Sequence, residues 1–234
     1  MLMPFLLIMT TSVVPTPTPL PAAVVNAKPL REVVYHASFT RRESLSQEHF
    51  GAIPPDSYGH TTGDDGTITV DVMAVGKGTL GIKLVEAWKH SGQTYTFLGN
   101  VAPDGSVNFG SQTISPCSRE LLPFFAPRFA PADDLVKGGS WVAKYDGKTV
   151  GVKTTYAVSN IDGAVVKLSE ARAITVKAAL GMNADTSGWV TYEPSRLVPL
   201  AGELTTLQQR ASASSSDTIQ TVVDFTRVSD TRDP

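Results

Sequence analysis

Residues 150–158 read VGVKTTYAV, with Val150, Val152, Thr154, Tyr156 and Val158 on one phase and Lys153 and Thr155 on the other. Successive side chains of an extended strand point to opposite faces, so a period of two makes a ribbon with one oily side and one wet side. The same rhythm runs through 67–75, where Ile68, Val70, Val72 and Ala74 oppose Thr67, Thr69 and Asp71. It returns in 174–180, where Ile174, Val176, Ala178 and Leu180 oppose Thr175 and Lys177. Turn signals stand around these segments: Asp64-Asp65-Gly66, Gly76-Lys77-Gly78, Pro103-Asp104-Gly105, Asp146-Gly147-Lys148 and Ile161-Asp162-Gly163. Such residues accept tight or left-handed backbone at low cost, and their spacing of roughly 10–15 residues predicts long antiparallel strands in a meander rather than βαβ units.

Two regions break the rhythm. In Ser115–Asp134, Ser115 as N-cap and Pro116 at the first helical position start a short helix through Arg119-Glu120-Leu121-Leu122. Pro123 ends it, and the run Phe124, Phe125, Pro127, Phe129, Pro131 cannot pair as a central strand because proline lacks a ladder donor. This segment is expected to be an apolar crossover. In 203–216, Leu204 and Leu207 admit a helix, but Thr205-Thr206 and the serines 212–216 favour a strand, a turn and a last strand through 219–228. The expected fold is all-β to α+β: a strongly curved antiparallel meander sheet, a half-barrel or open barrel, with one short helical crossover. The expected organisation is a leader and spacer over 1–27, one β-rich domain over 28–228 and a frayed tail over 229–234.

Length and composition fit one globular domain. The chain has 234 residues, 41% apolar and 18% charged, and its 20 Lys and Arg are offset by 22 Asp and Glu. A formal charge of −2 with no basic run beyond Arg41-Arg42 gives no general attraction for phosphate backbones, so nucleic acid is not an expected partner. Residues 1–27 contain no Lys, Arg, Asp or Glu, and normal charge density begins at Lys28. The apolar stretch 1–9 is shorter than the about 20 residues that cross a bilayer. Val25-Asn26-Ala27 offers small residues in the positions of a secretory cleavage site, behind a spacer with prolines at 15, 17, 19 and 21. Although no basic residue precedes the apolar run, the pattern is that of a signal peptide and predicts export, periplasmic or extracellular. No later apolar run is long enough to span a bilayer, so no transmembrane segment is expected in the mature chain.

Motifs that carry chemistry are few. Gly76-Lys77-Gly78-Thr79-Leu80-Gly81 matches G-x-G-x-x-G, but no Asp or Glu stands about 20 residues on to hold a ribose, so it reads as a hairpin turn and no cofactor is expected. His36, His49, His60 and His90 form no ligand-spaced pair, and no metal is expected. Asp64-Asp65 and Asp133-Asp134 lack the alternate-oxygen spacing of a calcium loop. Ser140 follows Gly138-Gly139 without the G-x-S-x-G elbow. Cys117, the single cysteine, excludes an intrachain disulfide; its place at a helix start would lower a thiol pKa, yet without a nearby His it reads as a small buried side chain. No catalytic residue is assigned.

What remains is apolar. Leu122, Phe124, Phe125 and Phe129 exceed the needs of a connector, and Gly138-Gly139-Ser140-Trp141 resumes the sheet directly after them. The segment either plugs the concave face of the sheet or lids a cavity for an acyl chain. The order of features, from export signal through β-rich half, Pro-rich apolar crossover and Gly-Gly-Ser-Trp strand start to hairpins carrying Trp189-Val190-Thr191-Tyr192, resembles the half-barrel proteins of the bacterial envelope. These include the Lol-type lipoprotein-carrier superfamily and its secreted relatives. The resemblance spans roughly residues 30–228 at the level of architecture. It implies an incomplete, curved antiparallel sheet covered by helices, whose hollow holds acyl chains. The expected function is that of an exported non-enzymatic envelope protein binding a lipid or other apolar small molecule through Leu122, Phe124, Phe125, Phe129 and Trp141. The alternative is an envelope scaffold that meets a protein partner and has no ligand cavity.

Overall fold

A computed structural model describes residues 28–47, 56–76, 78–146, 150–176, 182–211 and 215–232. The leader at 1–27, His49, Gly147 and Lys148 of one turn signal, the second half of the 174–180 alternation, and Ser212 and Ser214 lie outside the described residues.

Among the described residues, eleven strands form one antiparallel sheet that does not close. They are β1 (Arg31–Gln47), β2 (Asp56–Gly76), β3 (Thr79–Trp88), β4 (Thr94–Val101), β5 (Val107–Asn108), β6 (Ser140–Asp146), β7 (Val150–Asp162), β8 (Val165–Val176), β9 (Met182–Glu193), β10 (Val198–Ala211) and β11 (Ser215–Asp230). The order across the sheet is β5-β4-β3-β2-β1-β11-β10-β9-β8-β7-β6. The chain thus begins at the centre, meanders to one edge, crosses to the far edge through residues 116–134 and meanders back until β11 pairs with β1.

The expected meander is present, as is the antiparallel pairing expected of β2 with β3, β4 with β5, β7 with β8 and β10 with β11. The helix is as short as expected: α1 (Pro116–Leu121) starts at Ser115, whose Oγ accepts from the Ser118 N–H at 3.1 Å. A 3-10 turn, Leu122–Phe125, follows directly. The segment Ile82–Trp88 after the glycine motif is strand β3, so those glycines serve a hairpin.

Two expectations are corrected. Asp64-Asp65-Gly66 is not a turn but the middle of β2. The aspartate serves the next hairpin instead: its carboxylate accepts the backbone N–H groups of His90 at 2.7 Å and Ser91 at 3.0 Å. Gly66 is there for close approach, since a Cβ would lie 2.1 Å from the Ala87 carbonyl oxygen. The tail is not frayed at 229–230. β11 runs to Asp230, where Arg31 donates to both carboxylate oxygens, one bond at 3.0 Å. Arg31 also donates to the Arg196 carbonyl at 2.6 Å. This buried pair fastens the first strand to the last.

Curvature follows from what the crossover touches. The 3-10 turn contacts both β4 and β10, which are five strands apart in the sheet. On a flat sheet that is about 24 Å, against a turn only about 8 Å long, so the sheet wraps round it. Inward residues of both halves meet the crossover: Tyr35 makes edge contacts with Phe125 and Phe225 and donates its hydroxyl to the Pro199 carbonyl at 2.9 Å.

Candidate functional site

Leu122, Phe124, Phe125, Phe129 and Trp141 are all buried in the central core. Phe129 is their hub, with ring centroids 4.7 Å from Phe124, 4.9 Å from Tyr156, 5.4 Å from Tyr192 and 5.7 Å from Trp141. Trp141 stacks on Tyr156 at 5.2 Å. The rings of Phe124, Phe129 and Trp141 thus pack on one another and on Tyr156 and Tyr192 within the core. None of the five residues lines the cleft described next.

That cleft, of about 550 Å³, opens on the N-terminal half of the sheet. Its walls are Phe39 of β1, Trp88 of β3, Tyr95 and Phe97 of β4, and Ile114 and Pro116 at the start of the crossover. Phe39 and Trp88 meet edge to face at 5.3 Å, and Tyr95 stacks on Phe97 at 6.0 Å. Asp64, Glu86, His90 and Thr113 add polar groups to the lining.

Glu86 joins the cleft to the crossover. It occupies an inward position of β3, on the same phase as Ile82, Leu84 and Trp88, and is 2% exposed. Its Oε1 accepts from Ser115 N at 3.1 Å, Ser115 Oγ at 2.7 Å and Ser118 Oγ at 2.5 Å, and its Oε2 lies 3.4 Å from the Trp88 indole N–H. The N-cap hydroxyl therefore accepts from its own helix and donates to the sheet. Asp64 lies at the rim. Its slight burial pulls the carboxyl up, but the His90 and Ser91 N–H groups outweigh this and hold it below the ordinary carboxylate range.

A second charged cluster lies where α1 ends. Arg172 of β8 donates to Glu120 of α1 and, at 2.5 Å, to Glu170. Both carboxylates are buried, and the second oxygen of Glu170 has no hydrogen-bond partner. Burial raises the Glu170 carboxyl, against the opposing pull of Arg172.

Cys117 is fully buried and donates its thiol to the Ser38 carbonyl at 3.1 Å. It is thus the small buried side chain expected, and the helix start does not lower its pKa: burial pushes the thiol well up, and the Glu86 and Asp224 charges push the same way. A six-residue helix cannot offset that desolvation. His36, His60 and His90 are exposed, and no group of three metal-capable side chains occurs among the described residues.

Sequence reasoning passed over Glu86, Trp88 and Phe97. The available signal was a carboxylate on the apolar phase of a strand, since an inward charge needs partners that only another element can bring. Glu170 and Arg172 carry the same signal between Leu168 and Ile174. No helix among the described residues is long and apolar enough to cross a membrane. Neither a known protein family nor a curated protein matches the chain.

Proposed function

We propose that this chain is an exported, non-enzymatic protein of the bacterial cell envelope that binds an apolar or lipid-like small molecule in the cleft between β1–β4 and the start of the crossover. The observation that carries the reading is the aromatic-walled space of about 550 Å³ beside the buried apolar core. Its volume falls in the range of small-molecule sites, about 300–1,000 Å³, and its apolar walls with few polar groups suit such a ligand. The charge-free leader and its small-residue boundary support export.

Phe125→Asp would test only folding, because Phe125 is 2% exposed in the core. Thr113 is exposed and lines the cleft, so Thr113→Trp fills the space without disturbing the core. The wild-type domain is expected to take up a fluorescent acyl probe, and Thr113→Trp to weaken uptake about tenfold or more at unchanged melting temperature. A wild-type domain that takes up no probe removes the ligand reading and leaves the envelope scaffold.

A further inference from the structure

The charge of the cleft narrows the ligand, and this step rests on the cleft being a binding site. Among the described residues that line it are two carboxylates, Glu86 and Asp64, and no Lys or Arg. Glu86 is held by hydroxyl, amide and indole donors, all of them neutral, and it forms no ion pair among the described residues. Neutral donors orient a buried carboxylate but leave its charge uncompensated in a poorly solvated place, where a cation brought by a ligand gains most. The walls suit the same visitor. The pairs Phe39–Trp88 and Tyr95–Phe97 line it with aromatic surface, and ring faces attract ammonium groups. An anionic head group would instead meet two carboxylates, with His90 at the lining but no Lys or Arg.

We infer that the cleft takes an amphiphile with an ammonium-type head group, the cation against the Glu86 carboxylate and the apolar part along the aromatic walls. The test uses decyltrimethylammonium, decyl maltoside and decyl sulfate at submicellar concentration, titrated calorimetrically into the wild-type domain, with Thr113→Trp as the blocked-cleft control. The ammonium compound is expected to bind about tenfold tighter than the maltoside and the sulfate weakest, all three being lost in Thr113→Trp. Glu86→Gln keeps the acceptor for Ser115 and is expected to bring the ammonium compound down to the maltoside's affinity. Should Glu86→Gln fail to fold, the wild-type ranking alone decides. Maltoside binding with no preference for ammonium, or a preference unchanged in Glu86→Gln, overturns the cationic ligand and leaves the apolar cleft standing. Binding by none of the three overturns both.

Discussion

Glu170 shows what one side chain on the wrong phase of a strand does to a core. It sits where an apolar residue would complete the inward row of β8, and only Arg172 and the neighbouring helix make it tolerable. Because burial raises its carboxyl, the folded chain holds this proton more tightly than the unfolded one. Its contribution to stability is present at low pH and is given up as pH rises through the raised value. Glu170→Gln cannot ionise, so its stability relative to wild type is predicted to climb as pH rises above the ordinary glutamate range, by about 1.4 kcal/mol for each pH unit by which the group is raised. Urea unfolding over that rise in pH measures it, and parallel curves for the two proteins would show that Glu170 is not raised. Asp230 has the opposite sign. Burial alone would raise it, yet hydrogen bonds from Arg31 and the Arg232 N–H and the charges of Arg31 and Arg227 carry it below its ordinary value. Its support is present at neutral pH and fades in acid.

At the level of the element, β2 shows how a strand overrides its own local signals. Asp64-Asp65-Gly66 has the composition of a turn, but residues 56–72 pair with β1, and from Gly66 onward the strand pairs with β3 as well. The ladder wins because the triplet gains partners from the adjacent hairpin: Asp64 caps residues 90–91, Asp65 pairs with Lys89 at 2.6 Å, and Gly66 admits the Ala87 carbonyl. Gly66→Ala forces a methyl group onto backbone oxygen in a paired strand, where neither side can yield without breaking the ladder. It is predicted to destabilise the fold by about 1–3 kcal/mol. Thermal unfolding checks this, and a variant within a few tenths of wild type would mean that β2 and β3 separate more easily than the register implies. The crossover shows the reverse case. Its helix signals were local and sufficient, because an N-cap serine followed by proline satisfies helix ends whatever packs above them.

For the whole molecule, the decisive contact joins the two ends of the chain. β1 and β11 pair from Val33 with Asp230 to Gln47 with Ser215, making two meanders into one sheet. Tyr35 depends on three separate parts of the chain: Phe225 of β11, Phe125 of the crossover and the Pro199 carbonyl. A fragment of residues 28–114 keeps β1–β5 but loses all three partners and leaves one side of β1 unpaired. It is predicted to show no cooperative thermal transition by circular dichroism, while the full domain unfolds in one step. A cooperative fragment would show that the N-terminal meander holds a core of its own.

The alternation at 67–75 and 150–158 was enough to determine strands, and the hairpin glycines and the Ser115-Pro116 cap were enough to determine where several of them turn, because these depend on neighbours a few residues away. The sequence likewise marked 115–134 as an apolar crossover. It did not determine which residues would line a cavity. Leu122, Phe124, Phe125, Phe129 and Trp141 stood out because they are large and apolar; the wrapping sheet buries all five and brings Tyr35 onto Phe125, and Tyr156 and Tyr192 onto Phe129. The cleft arises instead where β1–β4 meet the first residues of the crossover, from side chains spread over 39–116. Strand order and curvature alone set those distances, and neither is a local property of the chain.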